Sequence, residues 1–197
     1  MLKVDALARM ADSLRVYDVD QNGWEGDPEG HGPRTPEANL IHVGFHLADV
    51  IERKDFSDRD TVKNEIAPDA VQYGLRIVRW SKLDVEDAVP VLAQREVYKT
   101  AETLKLSTFS ESYFALASFV RASGVLARQL HGEDHASSRE EAIAKRRSSL
   151  TDVAALLIQC AVVQSNRQNF DIEESFEDRL TVLRQRFGIP KPDEKEV

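Results

Sequence analysis

Apolar residues recur at three- and four-residue intervals over residues 39 to 53 and again over 62 to 80, and no other feature restricts the fold of this chain more. In NLIHVGFHLADVIER the stripe is Leu40, Val43, Leu47 and Val50 or Ile51, which is the spacing of an amphipathic helix and not of a strand. A polar line of His42, His46, Asp49 and Glu52 or Arg53 runs beside it, because side chains three and four apart stack on one side of a helix. VKNEIAPDAVQYGLRIVRW repeats the pattern, with Ile66, Ala70, Tyr73, Ile77 and Trp80 apolar and Glu65, Asp69, Gln72 and Arg76 polar. Pro68 lies near its start, so regular helix is expected from there, with Glu65 on the preceding turn. The join KDFSDRD is short enough to make the two helices antiparallel neighbours.

Four acids, Asp49, Glu52, Glu65 and Asp69, then have the spacing to face one another across the pair. Like charges brought together in a partly buried groove repel unless a cation neutralises them, and an oxygen-only donor set suits magnesium or manganese. The plainer alternative is that these acids form the solvated faces of two surface helices. Spacing by itself leaves both open.

The length, 197 residues, suffices for one sizeable domain or two small halves sharing a core. Thirty-four acidic against 26 basic residues give a formal charge of −8, which disfavours binding to nucleic-acid backbones or anionic membranes without a metal or a local basic cluster. No charged-then-apolar leader and no apolar run of transmembrane length is present, so a cytoplasmic protein without a membrane partner is expected. The single cysteine, Cys160, excludes an intramolecular disulfide and reads as a buried core thiol. Nothing resembles a serine or cysteine nucleophile set, a phosphate-cradling glycine loop or a zinc site with cysteine pairs.

Elsewhere the pattern is again helical. Leu2, Leu7, Met10, Leu14 and Val16 predict a first helix over residues 2 to 17, and the glycine, proline and acids of residues 18 to 36 predict an irregular loop. In that loop Trp24, Glu25 and His31 would cover a ligand, or Trp24 would pin the loop to the surface. Thr35-Pro36-Glu37 is a helix start signal, and Asp84 opens another helix with acids in its first turn. After a polar join at residues 107 to 112, YFALASFVRASGVLARQL reads as helix and HGEDHASSREEAIAKRR as a polar connection, helical in its second part. SLTDVAALLIQCAVVQS is a strongly apolar helix, and FDIEESFEDRLTVLRQRFG closes the fold before a disordered tail over residues 189 to 197. Arg121, Arg128, Lys145, Arg146 and Arg147 read as a solvated basic face.

Pro68-Asp69-Ala70-Val71 matches Leu150-Thr151-Asp152-Val153, and Leu83-Asp84-Val85-Glu86-Asp87 matches Phe170-Asp171-Ile172-Glu173-Glu174. The expected architecture is therefore a single all-α domain, an antiparallel helical bundle of two duplicated halves, residues 36 to 106 and 107 to 188. Only Asp152 keeps an acid of the first half's set, so one site per chain is expected. An apolar helix such as residues 150 to 163 needs covering on several sides, which is consistent with a homo-oligomer.

Two helices each bearing an acid pair, then a short break and an Asp-hydrophobic-acid-acid helix start, resemble the MazG-like all-α nucleoside triphosphate pyrophosphohydrolases. That family carries Glu-x-x-Glu and Glu-x-x-Asp pairs; this chain offers Asp49-x-x-Glu52 and Glu65-x-x-x-Asp69. The resemblance implies hydrolysis between the α- and β-phosphates of a nucleotide substrate, with magnesium or manganese held by Asp49, Glu52, Glu65 and Asp69. It further implies Lys54, Lys63 and Arg76 as the cationic help for the phosphates, and His46 as the group that orients or deprotonates the water. The alternatives are a non-catalytic nucleotide-binding protein on the same fold and an acidic helical interaction module.

Overall fold

In a computed structural model, residues 4–22, 52, 58–80, 124 and 136–190 are described. Among them there are helices and turns and no strand. The elements are α1 (Val4–Asn22), a single helical turn α2 (Arg59–Thr61), a π-helical turn (Val62–Ile66), α3 (Ala67–Trp80), α4 (Arg139–Gln168) and α5 (Ile172–Phe187). None of the described helices is long and apolar enough to cross a membrane.

α1 buries Leu7, Met10, Leu14 and Tyr17, one face at three-four-three spacing. Val16, expected in that stripe, is only half-buried, and Tyr17 takes its place because it continues the same face. The helix also runs on through Asn22, five residues into the segment expected to be irregular from Asp18. The breakers of that segment begin at Gly23, so nothing in residues 18 to 22 opposes helix.

The segment expected to become regular only at Pro68 is already helical from Arg59. Its cap is Asp58, whose carboxylate accepts the Thr61 N–H at 2.8 Å and the Thr61 hydroxyl at 2.6 Å. A π turn then brings the Ala67 N–H to the Val62 carbonyl, one residue wider than an α-helical bond. This widening directly precedes Pro68, which has no N–H to give and whose ring crowds the carbonyl four residues back; a π turn is one way a helix absorbs that. Glu65 thus sits inside the widened turn, the turn before α3.

α3 is apolar on nearly every side. Ala67, Ala70, Val71, Leu75, Ile77 and Val78 are all buried, and the helix lies between α4 and α5. It lies close against α4 at Gly74, where an added Cβ would stand 2.6 Å from Ile158 Cγ1 and 3.2 Å from the Ala154 carbonyl oxygen. Only glycine lets the two backbones come this near.

Residues 139 to 168, expected as the helical second part of a polar connection followed by an apolar helix, form the single helix α4. Ser138 caps it by accepting the Glu141 N–H, while the Glu141 carboxylate accepts from the Ser137 N–H and hydroxyl, a reciprocal arrangement close to a capping box. That start signal sits inside the polar stretch, and the charged turns that follow are helical, as expected for its second part. Lys145 is exposed there, paired with Glu141 at 2.6 Å. From Val153 to Ser165 the helix is buried all round except at Ala155, and Cys160 is in the core as expected. It ends at Asn169 in the left-handed region, φ 53°, with Arg59 donating to the Gln168 and Asn169 carbonyls. α5 begins at the Asp171 cap and ends at Gly188, φ 66°, as its sequence predicts.

Candidate functional site

Of the polar line Glu65, Asp69, Gln72 and Arg76, only Glu65 keeps a third of its side chain in water. Asp69 is 6 % exposed and Gln72 4 %, because the side of α3 that carries them packs against α5 and the end of α1. A carboxylate held out of water needs a counter-charge. For Asp69 it is Arg179 of α5, which donates from Nε to Oδ1 at 2.8 Å and from Nη2 to Oδ2 at 2.9 Å. The same guanidinium comes within 3.8 Å of Glu65 Oε2. Burial opposes the charge on Arg179, but the hydrogen bonds and field of Asp69, with Glu65 behind, raise its pKa above the ordinary value.

A second ionic group lies two turns along α3. Asp18, 1 % exposed near the end of α1, accepts from Arg76 Nη2 at 2.6 Å on Oδ1. Its Oδ2 accepts from Arg76 Nε at 3.2 Å and from Arg79 Nη2 at 2.5 Å. Burial works against the Arg76 charge, and the Asp18 carboxylate outweighs it, so that pKa is also raised. Tyr17 stands beside this group with the Arg184 guanidinium 5.6 Å over its ring. Burial pushes the Tyr17 phenol up against the opposing fields of Arg76, Arg184 and Arg179, with Asp18 adding to the rise.

Of the residues expected to form a metal and substrate site, Glu65 and Asp69 are brought together, on one guanidinium. Lys63 is half-buried in the π turn, and Glu52 is helical and exposed. Arg76, expected to meet phosphates, is bound to Asp18. His46, Asp49 and Lys54 lie outside the described residues, as does the segment with Trp24, Glu25 and His31. Among the described residues no group of three or more His, Cys, Asp and Glu side chains is placed to hold a metal ion.

Arg179, Asp18 and Arg79 were not legible as site residues. The signal for Arg179 was indirect: an aspartate on a helix buried all round demands a partner, but periodicity names no arginine more than 100 residues away. For Arg79 the signal was its place one turn after Arg76, which lets one acid reach both.

Compared with known proteins, the chain matches no family model, no curated protein and no solved structure.

The donors present suit a hard divalent cation in kind, since Glu65 and Asp69 are both carboxylates. Both are already engaged by Arg179, so a cation taking Asp69 has to compete with a bidentate guanidinium.

Proposed function

We propose that the chain is a metal-dependent nucleoside triphosphate pyrophosphohydrolase, a homo-oligomer of the cytoplasm whose first half carries the site. The observation that supports this is the convergence of Glu65 and Asp69 on one cationic group. Two carboxylates four residues apart, on a helix widened by a π turn between them, have been aimed at a single point of positive charge. Asp49 and Glu52 would complete the ligand set for magnesium or manganese. Bound there, such an ion would supply Lewis-acid polarisation of phosphoryl oxygens. His46 would accept the proton of the attacking water, and Lys54 and Lys63 would neutralise the phosphate chain. Arg179, freed from Asp69, would be a further cation for the developing negative charge.

The internal duplication belongs to the same proposal. The matched segments, residues 68 to 71 and 150 to 153, lie in α3 and α4, and these two helices pack directly on one another. Two copies of one helical unit would meet in this way.

A specific observation favours a second function. The Asp69–Arg179 bond is bidentate and largely buried, with side-chain exposures of 8 % and 15 %, and a pair of that kind does not need an ion. On that ground the protein binds a nucleotide without turning it over. The two are separated by measuring pyrophosphate release from a panel of nucleoside triphosphates in manganese, for the natural chain and for Asp49→Asn and Asp69→Asn. Release that both substitutions abolish supports hydrolysis. Absence of release with every nucleotide leaves the binding function.

A further inference from the structure

We propose that Arg179 is the resident cation of the Glu65 and Asp69 pair: its guanidinium holds the ground a divalent ion would take, and metal enters only as Arg179 leaves. The inference rests on the proposed function for the metal, and it adds what controls metal entry.

One nitrogen serves both acids. Arg179 Nη2 lies 2.9 Å from Asp69 Oδ2 and 3.8 Å from Glu65 Oε2, while Nε takes the other Asp69 oxygen at 2.8 Å. Both oxygens of Asp69 are therefore turned to the guanidinium, and an ion joining Asp69 to Glu65 has to displace Nη2. Such an ion needs little more from the protein, since magnesium is commonly held by one or two carboxylates and water, and manganese favours the same oxygen donors.

The two cations use the pair differently. The arginine fork matches the two oxygens of a single carboxylate, and 3.8 Å leaves Glu65 within ion-pair range but beyond a hydrogen bond. A divalent ion binds both acids directly. Exchange has a route on each side. Ile172, Phe176 and Leu180 anchor α5 in the core, so the Arg179 side chain can turn away while its helix stays. Glu65, 35 % exposed, gives an ion its first contact from water.

The test is titration calorimetry with manganese chloride and no nucleotide, with thermal melting in the presence and absence of the ion. It uses the natural chain, Arg179→Gln, Arg179→Lys and the double variant Arg179→Gln/Asp69→Asn. Without metal, Arg179→Gln is expected to melt below the natural chain. It is expected to bind manganese about tenfold more tightly, and to recover part of its melting temperature as the ion binds the folded state. Arg179→Lys, which keeps a charge but loses the fork, is expected to fall between the two. The double variant is expected to lose the gain. A pair that only ties α5 to α3 would give the lower melting temperature without the tighter manganese binding. Should Arg179→Gln fail to fold with and without the ion, Arg179→Lys decides. Equal manganese affinity in the natural chain and the arginine variants, or a gain that survives Asp69→Asn, overturns the inference. Asp69-dependent pyrophosphate release by the natural chain, with no gain in Arg179→Gln, keeps hydrolysis and discards the exclusion. An Asp69-dependent gain without release from any nucleotide does the reverse.

Discussion

Arg179 and Asp69 form a two-bond fork between α5 and α3, at 2.8 and 2.9 Å, with neither side chain more than 15 % exposed. Breaking a pair of this burial from one side leaves a desolvated charge, which typically costs about 3–5 kcal/mol. Arg179→Met and Asp69→Asn are each expected to lower the urea midpoint by a corresponding amount. The double variant Asp69→Leu/Arg179→Met is expected to lose much less than the sum of the single losses, since both charges leave together. Additive losses would show that the two are not coupled.

Gly74→Ala is expected to destabilise the protein. Alanine gains roughly 1 kcal/mol in helix propensity over glycine, but its Cβ would lie 2.6 Å from Ile158 Cγ1, near the root of a fully buried side chain, and 3.2 Å from the backbone oxygen of Ala154. Overpacking of this kind costs about 1–3 kcal/mol, so the net loss is up to about 2 kcal/mol. The Gly74→Ala/Ile158→Ala pair is expected to be less destabilised than the separate losses added together, as read by thermal denaturation. If Gly74→Ala raises the melting temperature, the two helices are not in close contact.

Two caps fix the starts of α4 and α5. Asp171 accepts the Glu173 and Glu174 N–H groups at 2.8 and 3.1 Å, and Ser138 accepts that of Glu141 at 3.1 Å. Asp171→Ala and Ser138→Ala should each cost about 1 kcal/mol, seen as a lower urea midpoint at unchanged slope. The Asp171 loss should be partly restored by Asp171→Ser.

Acidification should weaken the fold through the carboxylates whose pKa values folding lowers. Glu141 is lowered from 4.5 to about 2, first by its bond from Lys145 and then by those from Ser137. Glu173 is lowered by the Arg9 guanidinium, and Asp58 by its bonds from Thr61. A carboxyl whose folded pKa lies below its unfolded value stabilises above the unfolded value, and that stabilisation is lost as pH falls toward the folded one. Urea midpoints are therefore expected to be flat above about pH 5 and to fall between about pH 4.5 and 2. Glu141→Gln and Glu173→Gln should flatten that fall, and a profile unchanged by both would contradict the assignment.

Local rules determined much of the helical framework. Leu7, Met10 and Leu14 marked the buried face of α1, and the Asp171 and Gly188 signals bounded α5, because caps and periodicity depend on near neighbours. The same rules placed helix in the second part of residues 131 to 147, but they did not join it to the apolar helix that follows, with which it forms the single element α4. They put Glu65 on the turn before the regular helix, where it lies, but did not give the π form of that turn, since a π turn in front of Pro68 depends on how the chain absorbs a missing N–H and a crowded ring. What tertiary structure alone decided is the fate of the acids. Spacing gave Glu65 and Asp69 a common side of one helix, but whether that side meets water, a metal or an arginine depends on which helix covers it. α5 covers it, bringing Arg179 from 110 residues away, and α1 brings Asp18 to Arg76 from 58 residues away. Charge pairing over such separations leaves no periodic trace in a sequence, because it is set by how the helices stack and not by the order of residues within any one of them.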